Sequence, residues 1–521
     1  MPTCSGRQAW PGCLQAILGR SPYLEWMKTL RGTTALVLLC VGCRGEPPDI
    51  PPVHPTPTQE QVRYQEMELA GFVHYSINTY TDREWGFGDE SPALFDPSDL
   101  DPGQWARVAA EFGMGELILT AKHHDGFCLW PSQTTDHDIA GSPWRNGEGD
   151  LVGEFASAAR QEGLAVGFYL SPWDRNHPGY GGPGYVEAYR GQLQELLTNY
   201  GPVAEIWVDG ANGGTGYYGG ANEERRIDRR TYYRWPETMG MVKELQPSTL
   251  IFSDAGPDLR WIGNERGFAG ETNWSAVTTR EIVIGDADVE YLNSGDPEGE
   301  DWVVPLCDTS IRPGWFYHAN QDDQVKSPQE LVDLYYRSVG RNCVLLLNIP
   351  PDRRGRFHEN DVEALRETRS ILDETFAEDL ALGSEVKATS WRLGHPKFAP
   401  SHVVDGERDS YWAAEESDTV TALELFLPEP REFDRILLQE PIRFGQRVAS
   451  FSIEAREGGE WKEVADGTTI GYKRLLRFPL VRADAVLITI RQARGAPALA
   501  TVGLYRASFR EPPPPAPGSA P

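Results

Sequence analysis

The 521-residue sequence predicts an α/β fold, a (β/α)8-like barrel followed by a C-terminal β-sandwich, and three observations carry that reading. From about residue 65 to 375, strand-like and helix-like segments alternate, as they do where helical crossovers join parallel strands. That stretch of about 310 residues has the size of one barrel. Beyond residue 376 the texture changes to short alternating runs separated by turn residues, the pattern of antiparallel sheets.

In chain order, residues 1–45 read as an export region. Met27, Lys28 and Arg31 supply a basic start, and "TTALVLLCVGC" follows as an apolar stretch too short to span a bilayer. The segment is similar to a bacterial lipoprotein signal, with Val41 and Gly42 before Cys43, although Cys40 stands where leucine is usual. That likeness implies a start at Met27, a lipidated Cys43 and an exported protein in a bacterial envelope (periplasm or outer membrane), bound to membrane only through its lipid. An ordinary cleaved signal peptide is the alternative. Residues 46–60, "EPPDIPPVHPTPTQ" and its successor, then read as a stiff Pro-rich linker that holds a domain off a membrane.

The barrel is expected over residues 61–378. Its strand candidates are residues 71–77, 115–120, 165–170, 204–209, 249–254 and 343–349, each apolar and bounded by turn residues. Between them, Trp105, Val108, Ala109 and Phe112 share one helix face, as do Tyr189, Leu193, Leu196, Leu197 and Tyr200. The sandwich is expected over residues 382–509, from runs such as "ALELFLP", "FDRILLQ" and "AVLITIRQ", and residues 510–521 form a disordered Pro-rich tail.

A net charge of −28 with no clustered Lys and Arg argues against a nucleic-acid partner, which would need a basic face. The seven cysteines show no paired close spacing, so neither a zinc site nor a structural disulfide is expected.

In a parallel barrel the active site lies at the C-terminal strand ends, and those ends are rich in chemistry here. They offer His74, then His123, His124 and Trp130, then Tyr169 and Trp173, then Trp207 and Asp209. One histidine or tryptophan alone is more often packing; several converging on one rim are harder to assign to packing. Aromatic faces stack on a sugar ring while histidines and acids bond its hydroxyls, and hydrolysis of a glycoside needs two carboxyl groups. Asp209 leaves an apolar strand at a glycine, although such a residue can also merely cap a turn. Glu265 and Glu271, in the glycine-broken loop after residue 254, supply candidates for the second.

As a set, "HHDGFCLW", "FYLSPWD", "EIWVDG" and "GRNCVLLLNIPPDRRGRF" resemble glycoside hydrolase family 29, the α-L-fucosidases, in the family's order over residues 65–375. The resemblance implies that Asp209 is the nucleophile and that His74, Glu84, Trp85, His123, His124, Tyr169 and Trp207 contact fucose, with Trp315 stacking beside the ring. "GNERG" is similar to the branch acting on α-1,3/1,4-fucosyl linkages, which selects Glu265 as acid/base over Glu271 or Asp254. The C-terminal region resembles a discoidin-like carbohydrate-binding module through "HVVDGERDSYWAA", which implies a structural calcium ion near that loop.

The implied mechanism is retaining hydrolysis of terminal α-L-fucosyl residues from oligosaccharides or glycoconjugates, with Asp209 ionised, Glu265 protonated and no metal or other cofactor required. Two rivals differ in class. A metal-dependent hydrolase would use His74, His123, His124 and Asp125, but adjacent histidines at a strand end normally point apart. A surface lipoprotein that only captures glycans would not need both carboxylates.

Overall fold

The computed structural model describes residues 46–511. Cys43 with the export segment, and residues 512–521 of the tail, lie outside the described residues.

Thr58 and Gln61 close a capping box on α1 (Gln59–Met67), which leads into β1 (Leu69–Val73). Seven further strands complete the barrel: β2 (Glu116–Lys122), β3 (Ala165–Leu170), β4 (Glu205–Trp207), β5 (Leu250–Ser253), β6 (Leu259–Trp261), β7 (Val304–Ser310) and β8 (Val344–Asn348). All neighbours pair in parallel, and β1 closes the ring by pairing with both β2 and β8. Helices cover the outside: α2 (Pro102–Phe112), α3 (Leu151–Gln161), α4 (Tyr185–Asn199), α5 (Trp235–Leu245), the short α6 (Val289–Ser294), α7 (Pro328–Arg337) and α8 (Glu359–Thr375). The expected faces of α2 and α4 are buried against the barrel, with Tyr200 half-buried at the end of its face.

The strands read as continuous apolar runs because both faces are covered. Leu117, Phe168, Ile206, Ile251 and Leu345 pack outward under the helices, whereas Ile118, Tyr169, Trp207, Phe252 and Leu346 fill the interior. This period of two carries Tyr169 and Trp207 inward at the C-terminal ends. At the opposite end, Glu205 accepts a hydrogen bond from the Tyr64 hydroxyl at 2.8 Å, and Glu116 lies beside it. Burial without a cation pushes both carboxyls up, Glu205 to about 8.

Two strands escaped the sequence reading. β5 and β6 are separated by residues 254–258 with no helix between them, so the alternation that flags a crossover is missing. β6 is three residues long and centred on Arg260, which is fully buried and bonded to the carbonyls of Leu292, Val303 and Trp274. β7 holds Pro305, Asp308, Thr309 and Ser310 and so does not look apolar.

The expected absence of a structural disulfide is corrected. Cys307 on β7 and Cys343, just before β8, are bridged with their Cα atoms 6.2 Å apart. Strand pairing brings together two residues separated by 36 positions, a distance along the chain that carries no signal.

The C-terminal domain comprises β9 (Glu385–Ala388), β10 (Thr421–Gln439), β11 (Val448–Glu457), β12 (Glu460–Gly467), β13 (Arg474–Ala493) and β14 (Thr501–Tyr505) in one antiparallel sheet. The long β10 serves twice. Its first half pairs with β9 and β13, and beyond a register shift between Phe426 and Arg431 its second half pairs with β13 and β14. Leu423 and Leu425 from one half and Ile436 and Leu438 from the other share a single core with Phe451, Ile488 and Val502. In the "DGERDSYW" turn, Asp405 accepts from the Glu407 N–H and the Ser410 hydroxyl and meets the His402 ring.

The Pro-rich stretch is extended but not a free spacer. Ile50 is buried with Phe398 and Tyr411, Val53 N–H donates to the Phe444 carbonyl, and Arg447 and Arg494 donate to the carbonyls of Pro51 and His54. Of the expected tail, Glu511 is anchored by Arg435 at 2.8 Å.

Candidate active site

The barrel rim holds a cavity of about 470 Å³ lined by Asp209, Glu265 and every sugar-contacting candidate: His74, Glu84, Trp85, His123, His124, Tyr169, Trp207 and Trp315. Val208 still bonds to Phe252 across the sheet at 3.0 Å, so Asp209 is the first residue free of the strand ladder. Its Oδ1 accepts from the Ala211 N–H at 2.6 Å and its Oδ2 from the Tyr169 hydroxyl at 3.0 Å. Gly210 is required by close approach, since a Cβ there would lie 2.6 Å from Asp254 Oδ2 and 3.1 Å from Gly285 Cα.

The histidines are held as neutral acceptors. Asn348, at the end of β8, donates to Ser310 Oγ and to the Trp315 carbonyl, which leaves its oxygen to accept from His74 N–H and His74 Nδ1 at 2.9 Å. The Ser171 hydroxyl donates to the Trp173 carbonyl and therefore accepts from His124 Nδ1 at 2.7 Å. Each ring thus keeps Nε2 as the acceptor. Burial pushes His74 down to about 3, His124 to about 4 and His123 well below the usual range. The expectation that adjacent histidines point apart fails here. β2 ends at Lys122, residues 123–126 form a turn closed by Gly126 N–H on the His123 carbonyl, and both rings reach the cavity with centroids 4.1 Å apart. Asp125 instead accepts from the Phe127 N–H and from Asn78. Trp85 meets His124 and Trp173 edge-on, and Trp207 stacks on Phe252 at 4.1 Å.

Glu265 comes from the loop after β6, where Asn264 accepts from the Arg266 N–H and donates to the Phe268 carbonyl. Its Oε2 accepts from Trp315 Nε1 at 3.2 Å. Trp315 N–H donates in turn to Glu84, whose other oxygen meets His318 Nε2 at 2.6 Å, and His318 Nδ1 meets Asp82 at 2.7 Å. A continuous chain of bonds therefore runs around the mouth. The surrounding wall raises the Glu265 carboxyl, helped by Asp209 and Glu84 and opposed by Trp315, although solvent reaches the side chain.

Glu271 is not brought to the cavity. Burial pushes its carboxyl up, but Arg474 and Arg341 pair with it and hold it below the usual range. Asp254 does line the cavity, accepting from Gly285 N–H at 2.7 Å, with burial raising it to about 6. Sequence reasoning missed Trp261, Asp286 and Asp308 in the lining, His318 as the support of Glu84 and Asn348 as the support of His74. Asp308 and Trp261 would have followed from recognising β6 and β7, whereas His318 and Asp286 lie in loops with no signal. Among the described residues, no group of three or more His, Cys, Asp or Glu side chains is arranged to hold a metal.

Comparison with known proteins gives concordant results for both domains. A model described as α-L-fucosidase matches residues 57–374, and one described as F5/8 type C domain matches residues 385–501. Alpha-L-fucosidase 1 of Arabidopsis thaliana is 43% identical over 463 residues, 88% of this chain and 89% of that protein. The crystal structure of a glycoside hydrolase 29 family member from an unknown rumen bacterium is 44% identical with a TM-score of 0.79, covering 89% of this chain and 79% of the other. A Ruminococcus gnavus GH29 fucosidase in complex with fucose is 31% identical with a TM-score of 0.80, covering 89% and 98%.

Proposed function

The chain belongs to the α-L-fucosidases of glycoside hydrolase family 29, and from that premise we propose that it is a retaining, exo-acting enzyme with Asp209 as nucleophile and Glu265 as acid/base. The observation that carries the assignment is the pair of unlike carboxyl environments in one cavity: Asp209 held by two donors, Glu265 raised toward its protonated form. Asp209 attacks the anomeric carbon while Glu265 gives its proton to the departing glycosidic oxygen, leaving a glycosyl ester. Glu265, now ionised, takes a proton from the water that hydrolyses the ester, which restores both groups. The neutral imidazoles of His74 and His124 accept from sugar hydroxyls, and Trp85, Trp207 and Trp315 offer apolar and stacking surface.

For linkage, we infer a preference for α-1,3/1,4-fucosides. Glu265 stands on a loop and leans on Trp315 at the mouth, where a branched aglycone would press and help to seat it. Binding energy from such remote groups is expressed in kcat as well as in affinity. Hydrolysis of a panel of α-1,2-, α-1,3- and α-1,4-fucosides and an aryl fucoside tests both readings. Faster turnover of the branched substrates supports the preference, while equal kcat/KM across the panel indicates broad specificity. Asp209→Ala should lower turnover of every substrate by roughly 10⁴-fold or more with the fold intact.

A further inference from the structure

Asp308 is a cavity carboxyl that the chemistry above leaves without a task. It lies on β7 two residues beyond Leu306, which packs in the barrel interior with Phe72 and Leu346, so the strand period turns it to the same axis. The residue is 3% exposed and lines the cavity with Phe72, Trp207 and Trp261. Trp261 hydrogen-bonds the carboxyl, yet Oδ1 has no partner among the described residues. Trp207 Nε1, equally buried and lining the same cavity, has none either. Buried polar atoms are rarely left unpaired, and two of them on residues that line one ligand-sized cavity point to a partner that arrives with the ligand.

We propose that Asp308 is a substrate-recognition residue that meets a hydroxyl of the bound fucosyl ring, on the side of the cavity where the Trp207 indole N–H is also free. The inference rests on the reading that fucose occupies this cavity. Among the described residues no ion pair includes Asp308, and the acidic groups near it are the carboxyls of Glu265 and Asp209. Burial and then Glu265 push its carboxyl well above the usual range, which favours the protonated form. In that form it can both donate to and accept from a hydroxyl. It also adds no negative charge beside the Asp209 carboxylate.

The test is calorimetric titration of the full chain with L-fucose and with its 2-, 3- and 4-deoxy analogues, for the parent, Asp308→Asn and Asp308→Ala. Asn keeps a donor and an acceptor and should hold fucose within about threefold of the parent, whereas Ala should lose about tenfold or more. The Ala loss should vanish for the single analogue that lacks the hydroxyl in question. Infrared difference spectra of parent and Asp308→Asn at neutral pH should lose a protonated-carboxyl band. Asp308→Ser replaces Ala should Ala fail to fold. Variants that bind fucose like the parent, an Ala loss equal for all analogues, or an Asn variant as impaired as Ala would overturn the proposal. A parent that fails to bind fucose would instead overturn the reading of the cavity on which it rests.

Discussion

At the scale of single residues, the assignment turns on where protons sit. Glu265 must be protonated to act, and its carboxyl is raised, so the active form persists above the ordinary carboxylate range and is lost as pH rises through the raised value. In a plot of kcat/KM against pH, the alkaline limb should belong to Glu265 and disappear in Glu265→Gln. Glu265→Ala should cost roughly 10²–10⁴-fold on an oligosaccharide but much less on an aryl fucoside whose leaving group needs little protonation. An equal loss on both would remove Glu265 from the acid role. His74 and His124, neutral throughout the working range, should add no limb of their own between about pH 5 and 8.

At the scale of elements, what matters is how the loop bearing Glu265 is held. Its far end is tied to the C-terminal domain: Arg474 donates to the Glu271 carbonyl and carboxylate, Thr468 to that carbonyl, and Asn273 N–H to Thr469. Arg474→Met should therefore lower Tm and reduce kcat for branched fucosides several-fold while leaving the aryl fucoside nearly unchanged, as stopped assays on both substrates would show. Parity between the substrates would mean that the tie does not reach Glu265. The same elements explain what the sequence could and could not reveal. Six strands were legible because they are apolar on both faces, and the rim histidines followed from their ends. β6 and β7 were hidden by a buried arginine and a polar strand end, and Asp308 was hidden with them. Glu271, indistinguishable from Glu265 by composition, is separated from it only by tertiary ion pairs.

At the scale of the whole molecule, both domains were legible from texture, but the seams were not, since the Pro-rich stretch and Glu511 are anchored by contacts distant in sequence. The Cys307–Cys343 bridge closes a 36-residue separation, worth about 3–4 kcal/mol by chain entropy. Reduction should lower Tm accordingly. A structural disulfide also suits an oxidising compartment, as the export expected from the sequence would supply, and Cys43→Ala should release the protein from membranes if that cysteine carries the lipid. The buried pair Glu116 and Glu205 sets a pH trend of its own. Their folded values are raised, so the stability they lend is full below the unfolded carboxylate range and is lost as pH rises toward about 8. Glu116→Gln should accordingly show a smaller fall in Tm than the parent between about pH 5 and 9. All of this serves one covalent event, which can be trapped by treating the protein with a 2-deoxy-2-fluoro-fucosyl fluoride and mapping the adduct by peptide mass spectrometry. The account requires a fucosyl ester on Asp209, and an adduct on Asp254 or any other residue would contradict it.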